Sequence, residues 1–369
     1  MKTRKIIIKT YSDTYPIFIG LNLISKFSSF IKKNSINFDQ CLLVIDKNVP
    51  KKFIFKIKKS LKNKRCFLYY INSNEKNKNQ KTVDQILDFL LKKNFSRQDC
   101  LIAVGGGITG DIGGFAASLF KRGMPYINLP TTLLSQVDSS IGGKTGVNSK
   151  YGKNMIGSFY QPKLVISDSL FLKTLPRREI VCGYGEILKH SLIANKNFYT
   201  FLDQNISKIL NLQSPFIEKA IFESCKIKKN IVEKDEKEKN LRKVLNFGHT
   251  FAHAYEAAYG YSNKLNHGEA VILGITSAIK FALKIKILKK SECNKILSHV
   301  INSKLPCNLK DYFSTIHINK IISYMIKDKK NNSKNINLIL LKKIGYPVIN
   351  NNYNKNSLKL FLKRELINQ

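Results

Sequence analysis

Short apolar, β-branched runs alternate with amphipathic stretches through the first half of the chain. The runs at 5–9, 15–19, 41–45, 66–71, 100–104, 126–129 and 164–167 have the length and residue types of strands. The segments near 21–33, 50–63 and 82–93 space their apolar positions as helices do. Strands separated by helices predict βαβ units and a mainly parallel sheet. Beyond Pro176 the strand pattern nearly vanishes: 177–194, 197–210, 214–233, 243–259, 268–286 and 289–302 read as helices, and INLILL at 336–341 alone suggests a short strand. The break at Pro176, within LKTLPRRE, sets the expected boundary between an α/β Rossmann-like domain over 1–176 and an all-α domain over 177–369. No internal repeat or long linker interrupts either half.

Composition narrows the class. A chain of 369 residues has room for two cores, and 43% hydrophobic residues exclude wholesale disorder. No run approaches the roughly 18 apolar residues of a membrane span. The opening MKTRKIIIKTYSDTYPIFIG lacks the apolar core and cleavage site of a signal peptide, so a cytoplasmic protein with no membrane partner is expected. The seven cysteines are scattered without a C-x-x-C pair, which excludes zinc ribbons and disulfide scaffolds. A formal charge of +38 suggests nucleic acid, but the lysines are spread over the whole chain together with Ile and Asn, as biased coding composition would leave them. No arginine-rich arm or aromatic-basic motif accompanies them, and no specific nucleic-acid binding is expected.

The chemistry gathers in RKVLNFGHTFAHAYEAAYGYSNKLNHGE, which holds three of the six histidines. His249 and His253, four apart, share a helix face, and His267 opens the next helix. Two or three imidazoles with one carboxylate make a catalytic zinc site with an open position; the alternative is three unrelated histidines. Glu186 in CGYGEILKHSLI is the candidate carboxylate, with Lys189 one turn on, on the same face, to meet substrate. His190 points about 100° away from Lys189 and reads as structural.

In the first half, CLIAVGGGITGDIGGFAASLF runs a strand into Gly105, Gly106 and Gly107 and then into a helix-compatible segment. A pyrophosphate can approach bare backbone N–H groups at such a turn, though G-G-G-x-x-G-D is not the usual fingerprint and could be a plain turn. Asp46, ending an earlier strand, could hold a ribose hydroxyl or form an Asx turn with Asn48. The polar, glycine-rich segment from Leu129 to Pro162 carries Thr131, Thr132, Asp138, Lys144, Lys153 and Asn154 and reads as a long functional loop. Its lysines could grip phosphate and carboxylate or be ordinary surface lysines. Arg122 and Arg242 suit bidentate anion binding.

These segments resemble a known family. GGGITGDIGGFAAS, KRGMPYINLPTTLLSQVDSSIGGKTGVN, GKNMIGSFYQP, LKTLPRRE, GEILKH, RKVLNFGHTFAHAYE, LNHGEAV and a late KDKK follow, in order from about 41 to about 345, the pattern of 3-dehydroquinate synthases, sugar phosphate cyclases of the shikimate pathway. The resemblance implies an N-terminal Rossmann-like NAD-binding domain and a helical metal-binding domain, with the active site in the cleft between them. It implies conversion of 3-deoxy-D-arabino-heptulosonate 7-phosphate to 3-dehydroquinate and phosphate by transient oxidation, phosphate elimination, re-reduction and aldol closure. Catalytic NAD⁺, one Zn²⁺ or Co²⁺ and a homodimer come with it. By motif, Glu186, His249 and His267 ligate the metal, and His253 becomes a neighbour of the reacting groups. Gly107, Ile108, Thr109, Gly110, Asp111, Thr131, Thr132, Lys144, Lys153, Phe171, Leu172, Lys173 and Thr174 match cofactor positions, as do Glu75, Lys78 and the ribose candidate Asp46. Asp138, Lys144, Asn154, Lys189, Arg242, Asn246, His253 and, from a neighbouring subunit, Arg122 match substrate positions.

Small departures accompany the match. Asn74 and Asn77 stand where a glycine and a tyrosine are usual, Gly185 replaces an alanine, Ala252 a glycine, and His190-Ser191 a Tyr-Gly pair. No metal ligand is lost. The alternatives are a cyclase acting on another sugar phosphate, a metal-dependent glycerol-type dehydrogenase that would release NADH, or a basic nucleic-acid-binding protein on an inactive enzyme scaffold.

Overall fold

A computed structural model describes residues 3–262, 264–327 and 335–367. The KDKK motif lies, beyond Lys327, outside the described residues. In chain order the strands are β1 (Arg4–Lys9), β2 (Thr14–Gly20), β3 (Gln40–Asp46), β4 (Arg65–Ile71), β5 (Cys100–Gly105), β6 (Tyr126–Pro130), β7 (Lys144–Ser149), β8 (Gly152–Phe159), β9 (Leu164–Asp168), β10 (Asn335–Lys343) and β11 (Tyr346–Asn354). The helices are α1 (Phe27–Lys33), α2 (Lys51–Ser60), α3 (Gln80–Lys92), α4 (Gly107–Leu119), α5 (Arg177–Ala194), α6 (Lys196–Leu210), α7 (Phe216–Val232), α8 (His249–Ala258), α9 (His267–Lys284), α10 (Lys290–Asn302), α11 (Ile318–Lys327) and α12 (Lys355–Ile367).

Two compact units result, Met1–Ile180 with Leu212–Lys237, and Val181–Asn211 with Glu238–Gln369. The first crossing falls four residues after the expected break at Pro176. The segment 212–237, with α7, belongs to the first unit and not to the helical half, where the sequence reading put it. A helical period shows which face is apolar but not which core that face joins.

The first unit is built on a seven-stranded sheet of order β1-β2-β9-β6-β5-β3-β4, parallel throughout except for the β1–β2 pair. Alternate side chains feed two cores. Leu43 and Ile45 of β3 pack with Phe27 and Phe53 on one face, and Leu42 and Val44 pack with Ile86 and Phe115 on the other. Both faces are therefore covered, and β3 and β5 read as uninterrupted apolar runs. The chain passes from β3 outward to β4 and then returns to β5 on the other side of β3. The switch point lies between the ends of β3 and β5, where open α/β sheets bind ligands. Asp46 and Gly105 end those two strands.

The segment expected as one long loop contains a hairpin, β7 against β8. The second unit is helical around α9, fourteen of whose eighteen residues are buried, and the INLILL strand β10 pairs with β11 in a second hairpin. No helix among the described residues is long and apolar enough to cross a membrane.

Candidate active site

The three expected ligands of the second unit come from three helices: Glu186 from α5, His249 from the first position of α8 and His267 from the first position of α9. Two glycines on α9 allow the close approach. A Cβ on Gly268 would stand 2.2 Å from Cys182 Cα, so α9 meets α5 backbone to backbone, and the Gly268 N–H donates to Cys182 Sγ at 3.2 Å. Further along, a Cβ on Gly274 would stand 2.2 Å from the Gly248 carbonyl oxygen, which brings the start of α8 equally near. Gly248 has φ 79°, in the left-handed region, and splits the expected helix 243–259 into a 3₁₀ turn, Leu241–Asn246, and α8. A capping box starts α9: the Asn266 side chain accepts from the Glu269 N–H at 2.9 Å, and Glu269 accepts from the Asn266 N–H at 3.0 Å.

The donor atoms of Glu186, His249 and His267 consequently lie within 4.8 Å of one another. His249 Nε2 is 3.4 Å and His267 Nε2 3.9 Å from Glu186 Oε1. Behind the rings, His249 Nδ1 meets the Phe247 carbonyl oxygen at 3.2 Å and His267 Nδ1 meets Glu256 Oε2 at 3.1 Å. Because a carbonyl and a carboxylate oxygen accept, each Nδ1 is placed to donate there, and each Nε2 faces Glu186. Glu186 is 1% exposed, and neither carboxylate oxygen has a hydrogen-bond partner of good geometry, although the Lys189 ammonium lies against Oε2. Burial opposes its ionisation, but the Lys189 ammonium against it outweighs burial and holds the carboxyl well below its usual range. Two imidazoles that turn Nε2 toward a buried, ionised carboxylate fit a divalent ion with an open position.

The His253 ring is exposed, with its centroid 5.3 Å from that of His249 and 6.3 Å from that of His267. Among the described residues it is outside the convergent set. Lys189, expected to face substrate, is buried and paired with Glu186. Arg242, 3% exposed, and Asn246 sit on the 3₁₀ turn before His249, where Asn246 Nδ2 donates to Glu238 Oε1 at 3.0 Å. The methyl of Ala252 is taken up against Gly274.

In the first unit, Gly106 caps α4, which opens at Gly107 directly after β5. A Cβ on Gly105 would collide with Thr109 Oγ1 at 2.2 Å, and that hydroxyl is instead bonded to Ser73 at 2.7 Å. Lys78, 5% exposed, bridges Asp111 Oδ2 and Asn154 Oδ1, each at 2.5 Å. Burial raises the Asp111 carboxyl, against the pull of Lys78. Asn148 orders the neighbours: its Nδ2 donates to Glu75 Oε2 at 2.7 Å, and its Oδ1 accepts the Asn154 N–H at 2.9 Å. Lys153 lies 3.3 Å from Glu75. Thr131 donates its N–H to the Gly105 carbonyl at 2.9 Å, and Thr132 bonds Ser135. Asp46 forms the Asx turn, accepting from the Asn48 N–H at 2.9 Å. Phe171 and Leu172 are core residues, Phe171 edge-on to Phe53, while Lys173 and Thr174 are exposed. Ile108 lies between the turn glycines and Thr109, half-buried. Asp138 sits in a π-helical turn, Ser135–Ser139, and is held by Lys228 Nζ at 2.7 Å. Lys144 opens β7, exposed, as is Arg122 with φ 64°.

The sequence reading missed three residues of these clusters. Lys228 stands on the apolar stripe of α7 with Ile217, Ile221, Cys225 and Val232, and a lysine at a core position of a helix is the signal that points to it. Glu256 follows His249 by two turns on the same helix face. Asn148 has no such signature.

The chain matches the family model for the 3-dehydroquinate synthase N-terminal region over residues 68–182 and the C-terminal model over 183–331. A 3-dehydroquinate synthase of Pelagibacter ubique is 59% identical over 98% of this chain and 98% of its own. The chain belongs to the 3-dehydroquinate synthase family. Among solved structures, a 2-deoxy-scyllo-inosose synthase complexed with carbaglucose-6-phosphate, NAD⁺ and Co²⁺ superposes with TM-score 0.88 at 25% identity, covering 98% of this chain and 100% of that one. A 2-epi-5-epi-valiolone synthase from Streptomyces hygroscopicus with NAD⁺ and Zn²⁺ bound gives 0.84 at 25% identity, covering 95% and 96%. In this family member Gly185 meets the Gly268 carbonyl and Ile272, and a Cβ there would lie 3.1 Å from each. The glycine thus eases the α5–α9 contact where the family pattern has alanine.

Proposed function

We propose that the protein converts 3-deoxy-D-arabino-heptulosonate 7-phosphate into 3-dehydroquinate and phosphate, using NAD⁺ and one Zn²⁺ or Co²⁺ catalytically. The observation that carries this reading is the convergence of Glu186, His249 and His267, their rear nitrogens already engaged, in a chain 59% identical to a 3-dehydroquinate synthase. A divalent ion held by Glu186, His249 and His267 would supply Lewis acidity toward a substrate hydroxyl, and a bound dinucleotide would supply a reversible hydride acceptor. The protein's own groups do the rest. Glu256 and the Phe247 carbonyl keep the two imidazoles presenting Nε2. Lys189 holds Glu186 ionised. Arg242, Lys144 and Lys228, the last beside Asp138, grip phosphate and carboxylate, and His253, Asn246 and Asn154 bond substrate hydroxyls. The backbone from Gly107 to Asp111 receives the pyrophosphate at the start of α4. Lys78, Glu75, Lys153, Thr131, Thr132 and Asp46 surround the rest of the dinucleotide, with the turn Phe171–Thr174 contributing backbone.

The reading includes a cytoplasmic homodimer in which the exposed Arg122 serves the neighbouring subunit. All seven cysteines are free thiols, as a reducing compartment requires. Light scattering checks the dimer. The function is tested by mixing protein, heptulosonate phosphate, NAD⁺ and Zn²⁺. Phosphate and dehydroquinate should form in equal amounts with no net NADH. Accumulating NADH would mean a dehydrogenase, and no phosphate release from folded, metal-loaded protein would refute the assignment.

A further inference from the structure

Three adjacent strands carry a cysteine at the same level of the main sheet. The register places Cys41 of β3 opposite Cys66 of β4 on one side and Cys100 of β5 on the other. In-register neighbours in a sheet project to the same face, and the Cys41 thiol donates to Cys66 Sγ at 3.5 Å. β4 is the edge strand, and Cys66 is only partly buried, whereas Cys41 and Cys100 are fully buried. Cys66 is thus the more accessible of the pair, and Cys41 lies behind it.

We propose that Cys41 and Cys66 form a redox-modification site, a dithiol that a small-molecule disulfide such as glutathione disulfide closes into an intrachain disulfide and a dithiol reductant reopens. Neighbouring strands lie about 4.8 Å apart, inside the Cα range a disulfide spans but with Cβ atoms wider than its preferred spacing. The bond can therefore form without moving β4 away, and its strain makes it one of the easily reduced kind. Reactivity is arranged in the same order. The Cys41 hydrogen bond, with Lys58, holds the Cys66 thiol below its ordinary range, and the same bond with burial holds Cys41 above it. Burial leaves Cys100 a protonated, inert thiol.

The step balances. Cys66 thiolate attacks one sulfur of glutathione disulfide, breaking its S–S bond and releasing one glutathione thiolate. Cys41, giving up its proton, then attacks the Cys66 sulfur and expels the second. The protein loses two electrons and two protons, and glutathione disulfide becomes two glutathione thiols. Cys41 is the second residue of β3 and Asp46 the last, roughly 17 Å apart along the strand at 3.3 Å per residue, so turnover should be little changed and is not the readout.

The test treats the full chain with glutathione disulfide, blocks remaining thiols by alkylation and maps the digest by mass spectrometry. A Cys41–Cys66 linked peptide, lacking two hydrogens, free of added glutathione and released by dithiothreitol, is expected. In Cys41→Ser, glutathione should instead remain on Cys66. Wild-type protein that keeps glutathione on Cys66, links Cys41 to Cys100, or leaves Cys41 and Cys66 alkylated would overturn the proposal, and none of these outcomes depends on a variant folding.

Discussion

Replacing Gly268 by alanine tests how the metal centre is assembled. The added Cβ would lie 2.2 Å from Cys182 Cα, 2.4 Å from its carbonyl oxygen and 2.6 Å from its carbonyl carbon, all backbone, whereas ordinary contact begins at 3.4 Å. No rotamer relieves the clash, so α9 must retreat from α5 by more than about 1 Å, carrying the adjacent His267 away from Glu186. Metal–ligand distances tolerate only about 0.2 Å, so one of three ligands is lost or distorted. Zinc affinity should fall at least tenfold, about 1.4 kcal/mol, on top of an overpacking cost of about 1–3 kcal/mol in stability. Gly185→Ala is the internal control. It loads the same helix contact, but its Cβ meets the Gly268 carbonyl and Ile272 at 3.1 Å, a gap that a few tenths of an ångström relieve, and its affinity should stay within about twofold of wild type, below the ~1.4 kcal/mol of a tenfold change. Competition against a chromophoric zinc chelator, with circular dichroism to confirm the fold, measures both. Equal affinities for the two variants would refute the argument that Gly268 sets the ligand spacing.

Two further outcomes follow from the same geometry. Glu256→Gln keeps the shape but loses the charge that fixes the His267 tautomer, and should weaken zinc binding by about 10–100-fold without disturbing circular dichroism; unchanged affinity would remove Glu256 from the site. His299, buried between Tyr184 and Asp203 at 2.8 Å from each, is lowered from 6.5 by burial, against the pull of Asp203. The unfolded chain therefore binds a proton that the folded chain refuses just below pH 6.5, so stability present above that pH is lost as pH falls through the window down to the folded value. Urea midpoints between pH 7.5 and 5 should decline, and less steeply in His299→Gln; identical slopes would contradict the assignment.

Much of this architecture is legible because buried parallel strands announce themselves. CLLVI, CLIAV and LVIS are apolar on both faces, and all seven strands of the main sheet fall where those runs place them. The β7–β8 hairpin is not legible: its residues are glycine-rich and polar, and most of β8 faces outward, so no alternation marks it. β11 is hidden for a similar reason, carrying four asparagines in YPVINNNYN. Helix α7 is legible as a helix but not as part of the first unit, because its stripe fits either core. At the site, the histidines and Glu186 stand out by residue type and spacing. Lys228, Glu256 and Asn148 become visible only when side chains distant in sequence are brought together.

Anomalous diffraction from crystals grown with Co²⁺ or Zn²⁺ reads whether Glu186, His249 and His267 share one divalent ion. A single strong peak is expected within about 2.0–2.2 Å of Glu186 and of the Nε2 atoms of His249 and His267, with Glu256 behind His267. A peak elsewhere, or one coordinated by His253 in place of His267, would contradict it.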